Sequence, residues 1–478
     1  MDIPSQSEKK SFPDYWITTA FFSLLAGILF LILLERVDPD YFWRLKHGEL
    51  MVREGIFPMR DMFSFTVAGE RTIVNAWVGE ILIYAVHNGF GYLGQALFHA
   101  ILLTTAHFML YVFLTRKVTL SRTGSLVLTA LCALNFYVIT GPRVQNFSFI
   151  FFMATLFLVH KWENGDEKAP YQIALLIALW VNLHSGFVIA LVVLLLIALG
   201  KMIEDRRFSF KAFAPFFAGL AASCVNPEGY NSFYLPVYSF IEPLNQELVQ
   251  EMKPLEILQP SQFIPYFTVL ALLMAFGLGA VRRRRFPWWL LCLALAYQSM
   301  QTLRMIPFFA LVGVIVAGFA LKDAEKIKPP RWIYASLFLV FLGMTSHYTY
   351  LCAQNVFPWN ESRIHEVYPH DSVRVIKQKY PGKNVFSTFN WGGYLLYHLY
   401  PDNLIAIDSR TMPYLDFLRL VYVPVMNASP QSPWLLDQIK ADLVLVPPDS
   451  RIFQDLSKGD GWETALKTPT EGLLLRKR

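Results

Sequence analysis

The sequence predicts an α-helical polytopic membrane protein, with about 11 transmembrane helices followed by a C-terminal soluble α/β domain. Three observations carry this. Hydrophobic residues make up 54% of the 478 residues and charged ones only 16%, where a soluble globular chain carries about a quarter charged. The charges are clumped between long uncharged runs, as expected when an ionisable side chain at mid-bilayer costs on the order of 3 kcal/mol. Residues 353–478 contain no run able to span a bilayer, and prolines and polar residues rise there.

The first apolar run, 16–34, is too long for a signal-peptide core. Glu35-Arg36 follows it without a small-residue cleavage site, so it reads as a retained helix. Lys9-Lys10 places the N-terminus in the cytoplasm. Residues 37–75 then form a polar outer loop. The stretch 76–88 is apolar but short and holds Glu80 and His87, which suits an interfacial helix. Helix 93–114 returns to Arg116-Lys117, and spans at 125–140 and 147–160 follow. The apolar stretch 173–199 is interrupted by Asn182-Leu183-His184-Ser185-Gly186 and reads as two spans meeting at an outer turn. A helix at 212–225 exits at Asn226-Pro227 into a long outer loop. Spans at 263–281, up to Arg304, 305–321 and 332–352 complete the set. Every strong basic cluster, Arg282 to Arg285 included, then falls on the cytoplasmic side. The odd count puts loop 37–75 and the tail on the same outer side, dividing the chain into a membrane domain, 1–352, and an outer domain, 353–478.

In the tail, 384–388, 404–407 and 443–446 read as strands, with 472–476 as a last one. Residues 391–399 and 433–441 read as helices. This alternation predicts a small α/β domain.

Composition excludes several functions. A net charge of +6, spread over short topology-setting clusters, gives no nucleic-acid footprint. There is no GxGxxG and no Walker loop, hence no nucleotide cofactor. The four cysteines, Cys132, Cys224, Cys292 and Cys352, lie in or beside apolar runs and form neither a disulfide framework nor a zinc site.

Loop 37–75 is the most informative segment. It opens Val37-Asp38-Pro39-Asp40-Tyr41-Phe42-Trp43-Arg44-Leu45-Lys46-His47-Gly48. Two carboxylates stand at the membrane surface directly after a helix. Such a carboxylate can act as general base to a hydroxyl or help hold a divalent cation, Mg or Mn. Asp40 alternatively caps the helix that follows. Arg143, His184, Asn226 and Arg304 all fall at outer helix ends. Arg143 and Arg304 can hold a lipid-linked phosphate, since guanidinium binds phosphate bidentately; alternatively they snorkel to headgroups. His184 binds a ligand or packs, and Asn226-Pro227 is a site or a helix stop. Asp408 and Arg410 face a cavity or pair with each other.

The loop motif, continued by Gly48-Glu49-Leu50, Pro58, Asp61, Phe63-Ser64-Phe65-Thr66 and Asn75-x-Trp77 with Glu80, resembles the first periplasmic loop of a bacterial membrane family similar to the GT-C glycosyltransferases. Further matches are Gly141-Pro142-Arg143-Val144-Gln145, Trp180 to Gly186, Asn226-Pro227-x-Gly229, Arg304-Met305-Ile306-Pro307, Asn390 to Leu395 and Ile407 to Thr411. The resemblance implies transfer of a sugar from a polyprenyl-phosphate donor to a lipid, glycan or protein acceptor on the outer face of the bacterial inner membrane. It makes Asp38 and Asp40 the catalytic and metal candidates. It places Arg44, Lys46, Arg143, Gln145, Asn182, His184, Asn226 and Arg304 on the donor side. Trp391-Gly392-Gly393-Tyr394 weakly resembles the Trp-Trp-Asp-Tyr-Gly motif of oligosaccharyltransferases, without its acidic residue. On that likeness Trp391 and Tyr394, with Asp408 and Arg410, stand on the acceptor side. The family pattern has Trp-Trp-His-Leu where this chain has Phe42-Trp43-Arg44-Leu45, so an arginine replaces the histidine.

Two other classes fit the same helices. A flippase for lipid-linked glycans would place ionisable residues near the midplane of several spans, whereas the best carboxylates here lie in a loop. A non-catalytic scaffold for envelope polysaccharide assembly would tolerate replacement of Asp38 and Asp40.

Overall fold

The computed structural model describes residues 12–136, 141–255, 285–324 and 362–477, with Tyr266, Leu270, Gly343, Ser346 and Tyr350 as isolated positions. Lys9-Lys10, Arg282 to Arg284 and nearly all of the expected spans 263–281 and 332–352 lie outside the described residues.

Apolar runs become helices where expected. They are α1 (Phe12–Glu35), α3 (Trp77–Phe113), α4 (Arg122–Leu134), α5 (Gln145–Glu163), α6 (Ala169–Trp180), α7 (Phe187–Asp205) and α8 (Ala214–Ala222). Between α1 and α3 the carboxylate loop forms α2 (Tyr41–Glu49). Two short helices stand in the long loop after α8, α9 (Tyr234–Ile241) and α10 (Pro243–Leu248). Two apolar helices follow, α11 (Phe286–Gln301) and α12 (Ile306–Ala324). Gly91 breaks α3 at φ +61°, a conformation open to glycine. This separates the expected interfacial half from the expected span. The turn at 181–186 likewise separates α6 from α7.

Four helices among the described residues are long and apolar enough to cross a membrane: Tyr15–Glu35, Trp77–Val118, Phe187–Asp205 and Leu303–Lys322. Helices α4, α6 and α8 are apolar but shorter. Leu97, Ile101, Leu175, Leu179 and Ile203 are exposed along α3, α6 and α7. Large apolar side chains presented outward from long helices are the construction of a membrane protein. Helix α12 is the central one, with 83% of its apolar window buried.

The tail carries α13 (Ser362–Val367), α14 (His370–Lys379), α15 (Phe389–Leu399), α16 (Ser432–Gln438) and α17 (Arg451–Lys458) around a four-stranded sheet. Strands β1 (Val385–Ser387), β2 (Leu443–Val446), β3 (Trp462–Lys467) and β4 (Gly472–Arg476) lie in the order β1-β2-β4-β3. Strands β1 and β2 are parallel, and the other pairs are antiparallel. The run expected as a strand at 404–407 contributes only single bridges from Ile405, one to Val385 and one to Ser64. That second bridge ties the tail to the carboxylate loop. Ile405 N donates to Phe63 O at 3.1 Å, and Phe65 N donates back to Ile405 O at 3.1 Å.

Candidate active site

The α15 glycines bring the tail onto the carboxylate loop. A Cβ on Gly392 would run into the Ile407 carbonyl, and one on Gly393 would stand 2.8 Å from Pro39 O and 3.3 Å from Trp43 Cδ1. Only glycine allows this approach. The Trp391-Gly392-Gly393-Tyr394 motif is thus a docking surface within the helix expected at 391–399. Tyr394 is buried against Phe42 and Tyr368, and its hydroxyl meets His370 Nδ1 at 3.1 Å.

Docking closes a cavity of about 440 Å³ between loop 38–47, the turns before α5, α7 and α12, segment 235–252 and residues 409–413. Asp38, Asp40, Arg44, Arg143, His184, Arg304 and Arg410 all line it.

Asp38 is 4% exposed. Its Oδ1 accepts the Asp40 amide at 2.9 Å, and its other oxygen pairs with Arg143. Burial pushes this carboxyl up to about 6, with Asp40 and Glu251 adding to the push and Arg143 opposing it. Asp40 stands at the N-cap position of α2, yet its side chain makes no capping bond. Instead Oδ1 accepts Ser409 Oγ at 2.6 Å and Trp43 Nε1 at 3.1 Å. Its Oδ2 lies 4.0 Å from Arg44, on a side chain 33% exposed. Asp40 is therefore oriented through one oxygen and open through the other.

Arg143 and Arg304 converge, but on a residue that no motif singled out. Glu251 accepts from Arg143 Nη1 through one oxygen and from Arg304 Nη2 through the other. Both arginines hold Glu251 well below the usual carboxylate range, against the effect of burial. The Nε of each guanidinium is buried without a partner. His184 accepts Gly186 N at 3.0 Å and meets Ser148 Oγ at 2.7 Å, both at Nδ1, so the ring proton sits on Nε2. Burial, with Arg44 and Arg304 nearby, lowers its proton affinity and keeps it neutral.

Arg44 donates to Glu80 Oε1 at 3.0 Å and stacks over Trp43. Arg410 is clamped in a buried network with Asp61 (2.7 Å), Asp408 and Tyr414 (3.1 Å). The mutual pairing of Asp408 and Arg410 is thus what forms, with Asp61 as a third member. Asp408 itself does not line the cavity.

Five other expected site residues stand elsewhere. Lys46 turns to Glu49 at 3.0 Å. Gln145 is buried at the start of α5. Asn182 accepts from Trp77 Nε1 at 2.7 Å and donates to the Val225 carbonyl. Asn226 ties its own turn through Ser223 O and the Glu228 amide. Trp391 donates to Val367 O and lines a separate cavity of about 300 Å³.

The donor set does not fit a divalent cation held by both aspartates. Arg143 occupies one oxygen of Asp38, and Ser409 and Trp43 occupy one of Asp40. Among the described residues no group of three or more His, Cys, Asp or Glu side chains is placed to hold a metal.

Among solved structures, the chain is similar to the archaeal oligosaccharyltransferase AglB from Archaeoglobus fulgidus in complex with an inhibitory peptide and a dolichol-phosphate. The TM-score is 0.61 at 12% identity, covering 91% of this chain and 70% of that one. It is similar to ArnT from Cupriavidus metallidurans bound to undecaprenyl phosphate, with TM-score 0.57, 12% identity and coverage of 96% and 98%. The chain shares the fold of these structures, in line with a distant GT-C resemblance. The mycobacterial arabinofuranosyltransferase AftD also matches, at TM-score 0.55 and 13% identity, covering 95% of this chain and 41% of that one. No protein-family model matches the sequence, and no curated protein does. The GT-C likeness extends over nearly the whole chain and so includes both the helices and the tail.

Sequence reasoning missed Glu251, Ser409 and the linking role of Asp61. Asp61 and Ser409 both lay inside matched motifs, Ser409 between Asp408 and Arg410, and the partner of Asp61, Arg410, is 349 positions away. Glu251 carried no signal beyond being a carboxylate in an outer loop.

Proposed function

We propose that the protein is a membrane glycosyltransferase using a polyprenyl-phosphate-linked sugar. The observation that carries this is one cavity holding an oriented, half-open carboxylate, Asp40, together with two converging arginines, Arg143 and Arg304. The polyprenyl phosphates named for two fold relatives support it.

In this reading the donor phosphate lies against Arg143 and Arg304. The acceptor hydroxyl lies at Asp40 Oδ2. The hydroxyl oxygen attacks the anomeric carbon from the face opposite the phosphate, and configuration inverts. The bond between that carbon and the phosphate oxygen breaks. The electron pair leaves with the polyprenyl phosphate, whose charge the two guanidiniums stabilise. The hydroxyl proton passes to Asp40. Asp38 holds Arg143 in place. The acceptor is a lipid, glycan or protein. The site faces the periplasm, in a protein of the bacterial inner membrane whose residues 353–478 form an outer α/β domain.

The test is release of polyprenyl phosphate from labelled polyprenyl-phosphate sugars by purified protein in lipid. Acceptor-dependent release that R143Q or R304Q suppresses supports the proposal. Release unaffected by either substitution contradicts it.

A further inference from the structure

Among the residues lining the cavity, Glu251 has no role in the transfer step above. It forms the third link in an alternating chain, Asp38–Arg143–Glu251–Arg304. Its side chain is 10% exposed. The cavity lining is charge-balanced: Asp38, Asp40, Glu80 and Glu251 face Arg44, Arg143, Arg304 and Arg410. A further anion can enter such a site only where a carboxylate gives up its cations.

We infer that Glu251 occupies the donor-phosphate position and is exchanged for the phosphate when donor binds, which makes it a positioning residue for the two arginines. This rests on the donor reading proposed above. Two features support exchange over a permanent brace. First, the carboxylate satisfies one N–H of each guanidinium and leaves both Nε groups buried and unpartnered. A phosphate offers more acceptor oxygens than a carboxylate and can take up that surplus. Second, the backbone at Glu251 is pinned. Thr302 Oγ donates to Glu251 O at 2.9 Å, and Leu303 N donates to Lys253 O at 3.0 Å. Exchange therefore requires rotation of a long side chain and no opening of the segment. With a phosphodiester in place of Glu251, the chain becomes Asp38–Arg143–phosphate–Arg304. After transfer, the returning Glu251 competes with the product polyprenyl phosphate for the same arginines and promotes its release.

The test measures binding of a short-chain polyprenyl phosphate to the full-length protein in detergent. Variants E251Q and E251D are compared with wild type, and E242Q serves as a control in the same segment. Glu242 pairs with Arg419 away from the arginine pair. An internal competitor lowers apparent affinity by the fraction of time the site is free. E251Q is expected to bind about tenfold or more tighter than wild type, with slower product release. E251D should fall between the two, and E242Q should match wild type. A brace would give the opposite sign, so E251Q binding weaker than, or equal to, wild type overturns the inference while leaving the donor reading intact. Absence of binding to every protein overturns the donor reading and this inference with it.

Discussion

The Ser409 hydroxyl donates to Asp40 Oδ1 at 2.6 Å, across 369 positions of sequence. One end of this bond lies in the loop that leaves α1 and the other in the turn that follows Ile405 and Ile407. The bond exists because Gly392 and Gly393 let α15 settle against Ile407 and Pro39. The tail thus does more than sit beside the carboxylate loop: it supplies the group that aims the proposed base.

Removing that group should cost activity without costing donor affinity. A hydrogen bond to a charged acceptor contributes about 1.5–3 kcal/mol. S409A is expected to lower the transfer rate about tenfold or more at unchanged donor binding, and S409T to recover most of it. Steady-state rates and donor titrations on the same preparations check this.

The two glycines make a paired prediction. G392A places a methyl against the Ile407 carbonyl, and overpacking of this kind costs about 1–3 kcal/mol. It should lower the apparent Tm clearly. G393A pushes on Pro39 O and Trp43, and therefore on the carboxylate loop itself. It should lose more activity per degree of Tm than G392A. Melting curves and transfer rates measured together check the contrast.

Arg410 holds two buried carboxylates, Asp61 and Asp408. Removing one member of a buried ionic network costs about 3–5 kcal/mol, because the remaining charges stay buried without their partner. R410M is expected to be poorly folded. R410K keeps the charge but not the fork geometry and should be intermediate. Yield of monodisperse protein and the apparent Tm report on both.

Asp38 makes stability depend on pH with a definite sign. Its carboxyl is raised from 3.8 to about 6 in the fold. Between these values the folded protein keeps a proton that the unfolded chain has released. Its contribution to stability is therefore complete below about pH 4 and is lost as pH rises through about 6. D38N removes this slope. The apparent Tm of D38N relative to wild type should rise from pH 4 to pH 7, and parallel curves would refute the assignment.

Much of this was legible in the sequence, for physical reasons. Long uncharged runs had only one stable form, so α1, α7 and α12 fell where hydropathy placed them. Asn182 to Gly186 and Gly91 broke helices by local chemistry alone. The carboxylate pair stood out because two acids two positions apart open the outer loop, at the head of a motif that continues through Gly48. What sequence could not supply was contact at long range. Glu251 acquires meaning only from Arg143 and Arg304, 108 and 53 positions away. Strand β3 was missed because Glu463 and Thr464 are exposed and only Trp462 is buried. The run at 404–407 ended as single bridges because the chain leaves the sheet for Asp408, whose carboxylate is committed to Arg410 and Tyr414. The close approach made by the α15 glycines was not legible because their neighbours, Ile407 and Pro39, are distant in sequence.

The most direct test of the account is single-turnover sugar transfer by D40N, with a donor-binding measurement on the same protein. Transfer should fall by at least a hundredfold, a barrier increase of about 3 kcal/mol, with donor affinity within a few-fold of wild type. Transfer at the wild-type rate by correctly folded D40N would contradict it.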